Sequence, residues 1–167
     1  MGGISSVHEL PLHYETSALV AAPIAQVFEH LDDQRRLSDH MSRPLWRMAG
    51  GSMSIEMDEA EGRQVGSKVK LSGRILDLEL SLTEQVTERR PPSRKTWEKV
   101  GSPHLLVIGS YRMGFELTSQ SRACLARIFI DYELPQKGLS HLLGRLFGAY
   151  YARWCTETMV CDVVRHF

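Results

Sequence analysis

Two titratable side chains, Glu157 and His13, stand at positions where their chemistry could be used. On a helical wheel of the C-terminal segment, Glu157 lies on an apolar stripe, at an angle between those of Leu146 and Tyr150. A partly desolvated carboxylate on that face could hold a ligand hydroxyl or act as a general acid or base. The alternative is structural, because Arg153 lies four residues earlier and could form an ion pair with it. His13 lies on the first predicted strand, where it either points inward as a catalytic group or is exposed.

Large apolar side chains form a second set of candidates. Leu146, Tyr150 and Trp154 share the helical stripe of Glu157, while Leu78 and Leu80 alternate with polar residues at the period of a strand. Core packing and ligand contact are both compatible with this spacing, since the walls of an internal cavity are also part of the core. The predicted ligand-binding residues are Tyr111, Met113, Phe115, Leu78, Leu80, Trp46, Leu146, Tyr150, Trp154 and Glu157.

Trp46 lies in a methionine-containing segment, Met41–Met53, with Arg43 and Arg47. Methionine adapts its shape to irregular apolar ligands, so this segment could cover the mouth of a pocket as a lid. A surface loop with one buried tryptophan explains the same composition.

Recognisable catalytic, metal and cofactor motifs are absent from the sequence. No two of the 7 histidines have the i, i+4 spacing of a helical zinc site. There is no P-loop and no G-x-G-x-x-G, and Ser110 lacks the second glycine of a nucleophile elbow. We therefore expect no metal and no cofactor, and the sequence leaves open whether the protein is an enzyme.

The charge balance and the cysteine count exclude several classes of protein. Lys+Arg and Asp+Glu both number 20, which argues against a nucleic-acid partner. No uncharged run approaches the ~18 residues of a membrane span, so no integral membrane segment is expected. The 3 cysteines include no C-x-x-C pair. They favour a reducing compartment, and we expect a cytoplasmic protein.

The pattern predicts one domain over residues 10–167, after a flexible tail at 1–9. A first strand over 13–20 precedes a helix that begins at Pro23, and a second short helix is expected over 34–40. Strands joined by short turns follow, and a helix over 138–167 closes the chain with Leu143, Leu146, Tyr150 and Trp154 predicted to face inward. The expected fold class is α+β: a curved antiparallel sheet of about seven strands around a long C-terminal helix.

Three segments together resemble START-like, helix-grip proteins (the SRPBCC superfamily, with polyketide cyclase/dehydrase and lipid-transport branches). They are the strand–helix junction at 20–28, the strand and proline turn at 84–92, and the closing segment at 131–135. The resemblance implies an internal cavity for an apolar ligand. It implies no shared set of catalytic residues, because the fold hosts many functions.

Three functions follow in order of preference. The first is a carrier or sensor that binds a hydrophobic small molecule, such as a lipid or an aromatic or polyketide-like compound. The second is an enzyme of the cyclase, dehydratase or hydrolase type acting on such a ligand within the cavity. The third is an interaction module, and a homodimer is an alternative to a monomer in each case.

Overall fold

The computed structural model describes residues 10–36, 52–75, 78–101 and 107–167. The predicted tail at 1–9 and Trp46 with most of its segment lie outside these ranges. Helical backbone is also present at 34–36, within the second short helix that was predicted. The longer elements are β1 (Leu12–Val20), α1 (Ile24–Asp32), β2 (Ser52–Met57), β3 (Lys68–Ile75), β4 (Leu78–Arg90), β5 (Arg94–Val100), β6 (Tyr111–Gln120), β7 (Ala123–Tyr132) and α2 (Gly138–His166).

The seven strands form one antiparallel sheet in the order β1-β7-β6-β5-β4-β3-β2. Short connections make each of β2 to β7 pair with its neighbour in sequence, and β1 closes the order by pairing with β7. The register places Met113 of β6 opposite Ile130 of β7, and Ile130 opposite Tyr14 of β1. These residues share the inner face of the sheet, which carries most of the core. The predicted α+β architecture of seven strands and a long closing helix is therefore confirmed.

One irregularity in the sheet decides where the charges of β4 lie. The pairing of β4 with β5 shifts between Val86 and Glu88, so one residue is added to the strand at this β-bulge. Before the bulge the even-numbered residues of β4 face the interior, and after it the odd-numbered residues do. Glu88 consequently pairs with Arg94 on the outer face at 2.8 Å, while Arg89 is on the inner side.

Arg89 helps to fix α1 to the sheet through Asp32, the last residue of that helix. The Asp32 carboxylate accepts from Arg89 Nη2 at 2.8 Å and lies 2.9 Å from Lys95 Nζ, a side chain with no exposed surface. Burial raises the pKa of Asp32, but the hydrogen bonds from Arg89 and Lys95 outweigh it and hold the pKa below its ordinary value. Burial also lowers the pKa of Lys95, against the opposing effect of Asp32. The helix is thus held by a buried, hydrogen-bonded ion cluster.

α2 packs inward through small and medium side chains rather than large ones. Its buried residues are Gly144, Gly148, Ala152, Cys155, Thr156, Met159, Val160 and Val163. A Cβ atom added at Gly144 would lie 2.7 Å from Pro135 Cδ and 3.1 Å from the Val107 carbonyl oxygen. At Gly148 it would lie 2.7 Å from Leu134 Cδ2. The first half of α2 therefore approaches the segments at 107 and 134–135 more closely than any larger residue would permit.

This close approach overturns the predicted orientation of α2. Leu146 and Tyr150 were expected to face inward, and they are 64% and 69% exposed. Leu143 and Trp154 are only partly buried. A wheel that ranks residues by hydrophobicity places the large apolar side chains inside, whereas the backbone contact requires glycine there.

No helix in the described part of the chain is long and apolar enough to cross a membrane.

We predict that Gly144→Leu lowers the free energy of unfolding by about 2 kcal/mol, because forcing extra atoms into a packed contact typically costs 1–3 kcal/mol. Leucine is the better helix former by roughly 0.8 kcal/mol, so helix propensity alone predicts the opposite sign. The measurement is urea denaturation. The matched control is Ala149→Leu on the exposed side of the same helix, which should change stability by less than about 0.5 kcal/mol. Equal effects of the two substitutions would contradict the close contact.

Candidate functional site

A buried carboxylate, Glu84, lies at the centre of a polar cluster inside the fold. Its residue is 5% exposed, and Tyr111 donates its phenolic hydrogen to Oε1. Gln34 Nε2 donates to Oε2 at 3.2 Å, and the indole N–H of Trp97 also hydrogen-bonds the carboxylate. We call Glu84, Tyr111, Gln34 and Trp97 the Glu84 cluster. It joins β4, β5 and β6 to the chain that follows α1.

Burial raises the pKa of Glu84 above its ordinary value. The hydrogen bonds from Tyr111, Gln34 and Trp97 favour the ionised form, but they do not offset the loss of solvation. Burial and the adjacent Glu84 also raise the pKa of Tyr111 well above its ordinary value, so this phenol keeps its proton. The cluster therefore favours the protonated form of the carboxyl group more than water does, beside a phenol that keeps its proton.

Gln34 carries the one buried side-chain polar atom that lacks a hydrogen-bond partner among the described residues, its Oε1. The residue is 3% exposed, so solvent does not replace the missing donor. An unpaired buried carbonyl typically costs about 1–3 kcal/mol, which makes this oxygen a strong acceptor for any donor brought to it. Protonated Glu84 could supply that donor after an amide flip of Gln34, and so could the hydroxyl group of a ligand.

α2 adds two more polar groups close to the cluster. The neighbouring Cys155 thiol and burial raise the pKa of Tyr151 well above its ordinary value, and the proximity of Glu84 adds to the rise. Burial raises the pKa of the Cys155 thiol to about 12, and the nearby Glu84 adds to that effect. The Cys155 side chain is thus a buried thiol with no nucleophilic thiolate at neutral pH.

Apolar and aromatic side chains surround the cluster on the inner face of the sheet. The Trp97 ring meets the Phe115 ring edge-on at 6.4 Å, and Phe115 meets Phe28 of α1 at 5.6 Å. Tyr111, Met113 and Phe115, three of the predicted ligand-binding residues, are all buried in this interior. Leu78 and Leu80 are on β4, in the same alternation as Glu84, but their side chains lie outside the described part of the structure, as does Trp46.

Glu157, the leading sequence candidate, is instead partly exposed and doubly paired. Its carboxylate accepts from Arg153 Nε at 2.9 Å and from the Tyr14 hydroxyl at 3.1 Å, and its side chain is 41% exposed. The ion pair with Arg153 that the sequence suggested is present. The Glu157 carboxylate is not buried, as the ligand-binding alternative would require. Trp154 is half-buried beside Tyr151, whereas Leu146 and Tyr150 face away from the interior.

His13 also lies away from the Glu84 cluster. Its side chain is 49% exposed on the outer face of the sheet, where Nδ1 is 2.6 Å from Asp131 and Nε2 is 3.1 Å from Glu15. The hydrogen bond with Asp131 raises the pKa of His13 against the opposing effect of burial, and Glu15 adds to the rise. Of the two alternatives considered from the sequence, His13 takes the exposed one, because the alternation of β1 directs Tyr14 inward and His13 outward.

Sequence reasoning missed Glu84, although its signal is present. Leu78, Leu80, Leu82, Glu84 and Val86 occupy alternate positions, so the carboxylate continues the apolar face of a strand. The same argument that selected Glu157 on a helix therefore selects Glu84 on a strand. Gln34 gives no comparable signal, because its position depends on how the chain leaves α1.

A surface groove lies apart from the Glu84 cluster. It has a volume of about 280 Å³ and is open to solvent between α1 and the end of α2. His30 Nε2 crosses between the two helices to Asp162 at 2.9 Å. The groove is lined by Gln26, Glu29, His30, Asp33, Arg36, His166 and Phe167. Within the described ranges, no three His, Cys, Asp or Glu side chains converge as they would around a metal ion.

No protein-family model matches the chain, and no curated protein sequence does. Solved structures do match its fold. The ZhuI aromatase/cyclase from Streptomyces sp. R1128 is 15% identical with a TM-score of 0.68, covering 93% of this chain and 92% of that one. The protein TTHA0849 from Thermus thermophilus is 12% identical with a TM-score of 0.66, covering 92% and 95%. Ara h 8.0201 is 9% identical with a TM-score of 0.57, covering 92% and 98%. The chain therefore shares the helix-grip fold of these three proteins.

Proposed function

We propose that the protein binds a hydrophobic small molecule inside the helix-grip fold, as a carrier or a sensor. The Glu84 cluster carries the proposal, because it places a few convergent polar groups within a largely apolar interior. Sites for small molecules commonly combine these two features. The ligand that suits them has an apolar body and one polar end, a hydroxyl, carbonyl or carboxyl group.

The chemistry of the cluster specifies how such a polar end would be held. The unpartnered Gln34 Oε1 accepts from a ligand hydroxyl. A neutral Glu84 carboxyl donates to a ligand carbonyl, while Tyr111 and Trp97 keep the carboxyl in place. Because these groups are already ordered by the fold, binding does not have to immobilise them.

An enzyme of the cyclase, dehydratase or hydrolase type is a second candidate, and Glu84 is the observation that favours it. A carboxyl group with a raised pKa, held by a phenol in a dry site, is suited to general acid catalysis. One protein with this fold is an aromatase/cyclase by name. Here Glu84 would donate its proton to a carbonyl or a leaving hydroxyl group of the bound molecule.

Native mass spectrometry of the protein, purified without added ligand, tests the proposal. We expect an added mass that is released on denaturation and extracted into organic solvent. Incubation of the extracted compound with fresh protein distinguishes the two candidates, since a carrier returns the compound unchanged and an enzyme returns a product of different mass. Repeated preparations without any apolar compound, together with no binding of lipid or aromatic probes, would refute both.

We predict that Gln34→Met weakens binding of the co-purified compound by roughly tenfold, because one hydrogen bond to a buried acceptor is lost. Methionine keeps the length of the side chain, so the fold should remain intact by circular dichroism. Gln120→Met at an exposed position is the matched control and should bind normally. Equal affinity of the two variants, measured by titration of stripped protein, would remove Gln34 from the site.

We predict that Glu84→Gln removes a fall in the free energy of unfolding that the wild-type protein shows as pH rises above about 4.5. A folded-state pKa above the ordinary 4.5 means that the folded protein binds this proton more tightly than the unfolded chain. Wild-type stability therefore falls as pH rises from about 4.5 to the raised pKa, by at most about 1.4 kcal/mol per pH unit, and is level above it. Glutamine has no proton to lose, and its amide can donate to Gln34 Oε1.

The measurement is urea denaturation of both proteins from about pH 4 to pH 8, a range that spans the ordinary pKa of a glutamate and the region above it. Stability of Glu84→Gln relative to wild type should rise with pH from about 4.5 up to the folded-state pKa of Glu84 and be constant above that pKa. A difference that stays constant across the whole range would show that Glu84 has an ordinary pKa in the folded protein.

A further inference from the structure

The outward side of the first half of α2 is apolar where a solvated helix is normally polar. Leu139, Leu142, Leu146, Phe147 and Tyr150 are 72%, 55%, 64%, 50% and 69% exposed. We call these five residues the outer face of α2. They lie opposite the buried small residues of the same helix, so the helix is apolar on both sides.

The five side chains form one surface rather than scattered exposures. Their spacings of three and four residues place them along one side of the helix over about three turns. A helix on a protein surface usually presents charged and polar groups to water. A contiguous exposed apolar patch of large side chains marks a surface that contacts something else.

The charges beside the outer face indicate the kind of partner. From Leu134 to Thr156 the sequence contains no Asp or Glu, whereas Lys137, Arg145 and Arg153 are basic. Arg153 pairs with Glu157, while Lys137 and Arg145 pair with no carboxylate among the described residues. The patch is therefore apolar and basic, which complements an apolar and anionic partner.

A second copy of this chain fits these charges less well. Parallel packing of two outer faces would bring Lys137 and Arg145 of both copies together, and no residue from Leu134 to Thr156 supplies a carboxylate between them. Like charges opposed across an interface are destabilising. An anionic lipid bilayer offers an apolar layer for the leucines and phosphate groups for the basic residues.

We propose that the outer face of α2 docks on the surface of anionic lipid membranes, with the helix lying in the plane of the interface. Leu139, Leu146 and Tyr150 enter the headgroup and acyl boundary. Lys137 and Arg145 contact lipid phosphates at its edge. This inference does not depend on the proposed ligand site, because it uses residues on the opposite side of α2.

Co-sedimentation of the full-length protein with lipid vesicles tests the proposal. The vesicles are phosphatidylcholine alone and an equimolar mixture of phosphatidylcholine and phosphatidylglycerol. We expect binding to the mixed vesicles that weakens as salt is added, and much weaker binding to phosphatidylcholine alone. Leu146→Asp should reduce binding at least roughly tenfold, because a leucine side chain is no longer buried in lipid.

The matched control is Val65→Asp, a substitution of the same kind at a residue that is 62% exposed away from α2. It should bind mixed vesicles as the wild type does. The double variant Lys137→Gln, Arg145→Gln should lose roughly fivefold in affinity per charge and should depend less on salt. Circular dichroism of each variant verifies the fold, and none of the substituted positions is buried.

Three results would overturn the proposal. The first is no binding of wild-type protein to mixed vesicles, and the second is an equal loss in Leu146→Asp and Val65→Asp. The third is a stable dimer by light scattering that Leu146→Asp dissociates, with no vesicle binding by either protein. That third result would assign the outer face of α2 to a second copy of the chain.

Discussion

At the segments 107 and 134–135, α2 makes contact through the backbone of two of its glycines rather than through large side chains of its own. Gly144 and Gly148 permit it, and a Cβ atom at either position would lie 2.7 Å from its nearest neighbour. The rotation of the helix about its axis is fixed by this contact. It directs Cys155 and Thr156 inward, leaves Glu157 half-exposed beside Tyr14, and directs the large apolar residues of the first half of the helix outward.

Two buried carboxylates on the inner side of the sheet have pKa values shifted in opposite directions, because their hydrogen-bond partners differ in charge. Asp32 is surrounded by Arg89 and Lys95, and its pKa is lowered despite burial. Glu84 is surrounded mainly by neutral donors, and its pKa is raised by burial. The first carboxylate holds α1 against the sheet as an ion. The second has no cation as a direct hydrogen-bond partner, and burial favours its protonated form more than water does.

The architecture was predictable because it depends on patterns of short range. Period-two alternation identifies strands such as β6 and β7, and turn residues between them enforce antiparallel neighbours. The site was less predictable. Gln34 reaches Glu84 across 50 residues of sequence, a distance that no local pattern encodes. The orientation of α2 was mispredicted because hydrophobicity measures the preference of a side chain for the interior, and not the room available for it there.

The β-bulge between Val86 and Glu88 divides β4 into two halves in which opposite sets of alternate residues face the interior. In the first half, even-numbered positions face the interior and supply Glu84. In the second half, odd-numbered positions do so and supply Arg89, which reaches Asp32. One strand thereby supplies both the buried carboxyl group of the Glu84 cluster and the attachment of α1. Regular pairing of the same sequence without the bulge would direct Glu88 inward and Arg89 outward, and Asp32 would then keep only one of its two cationic partners.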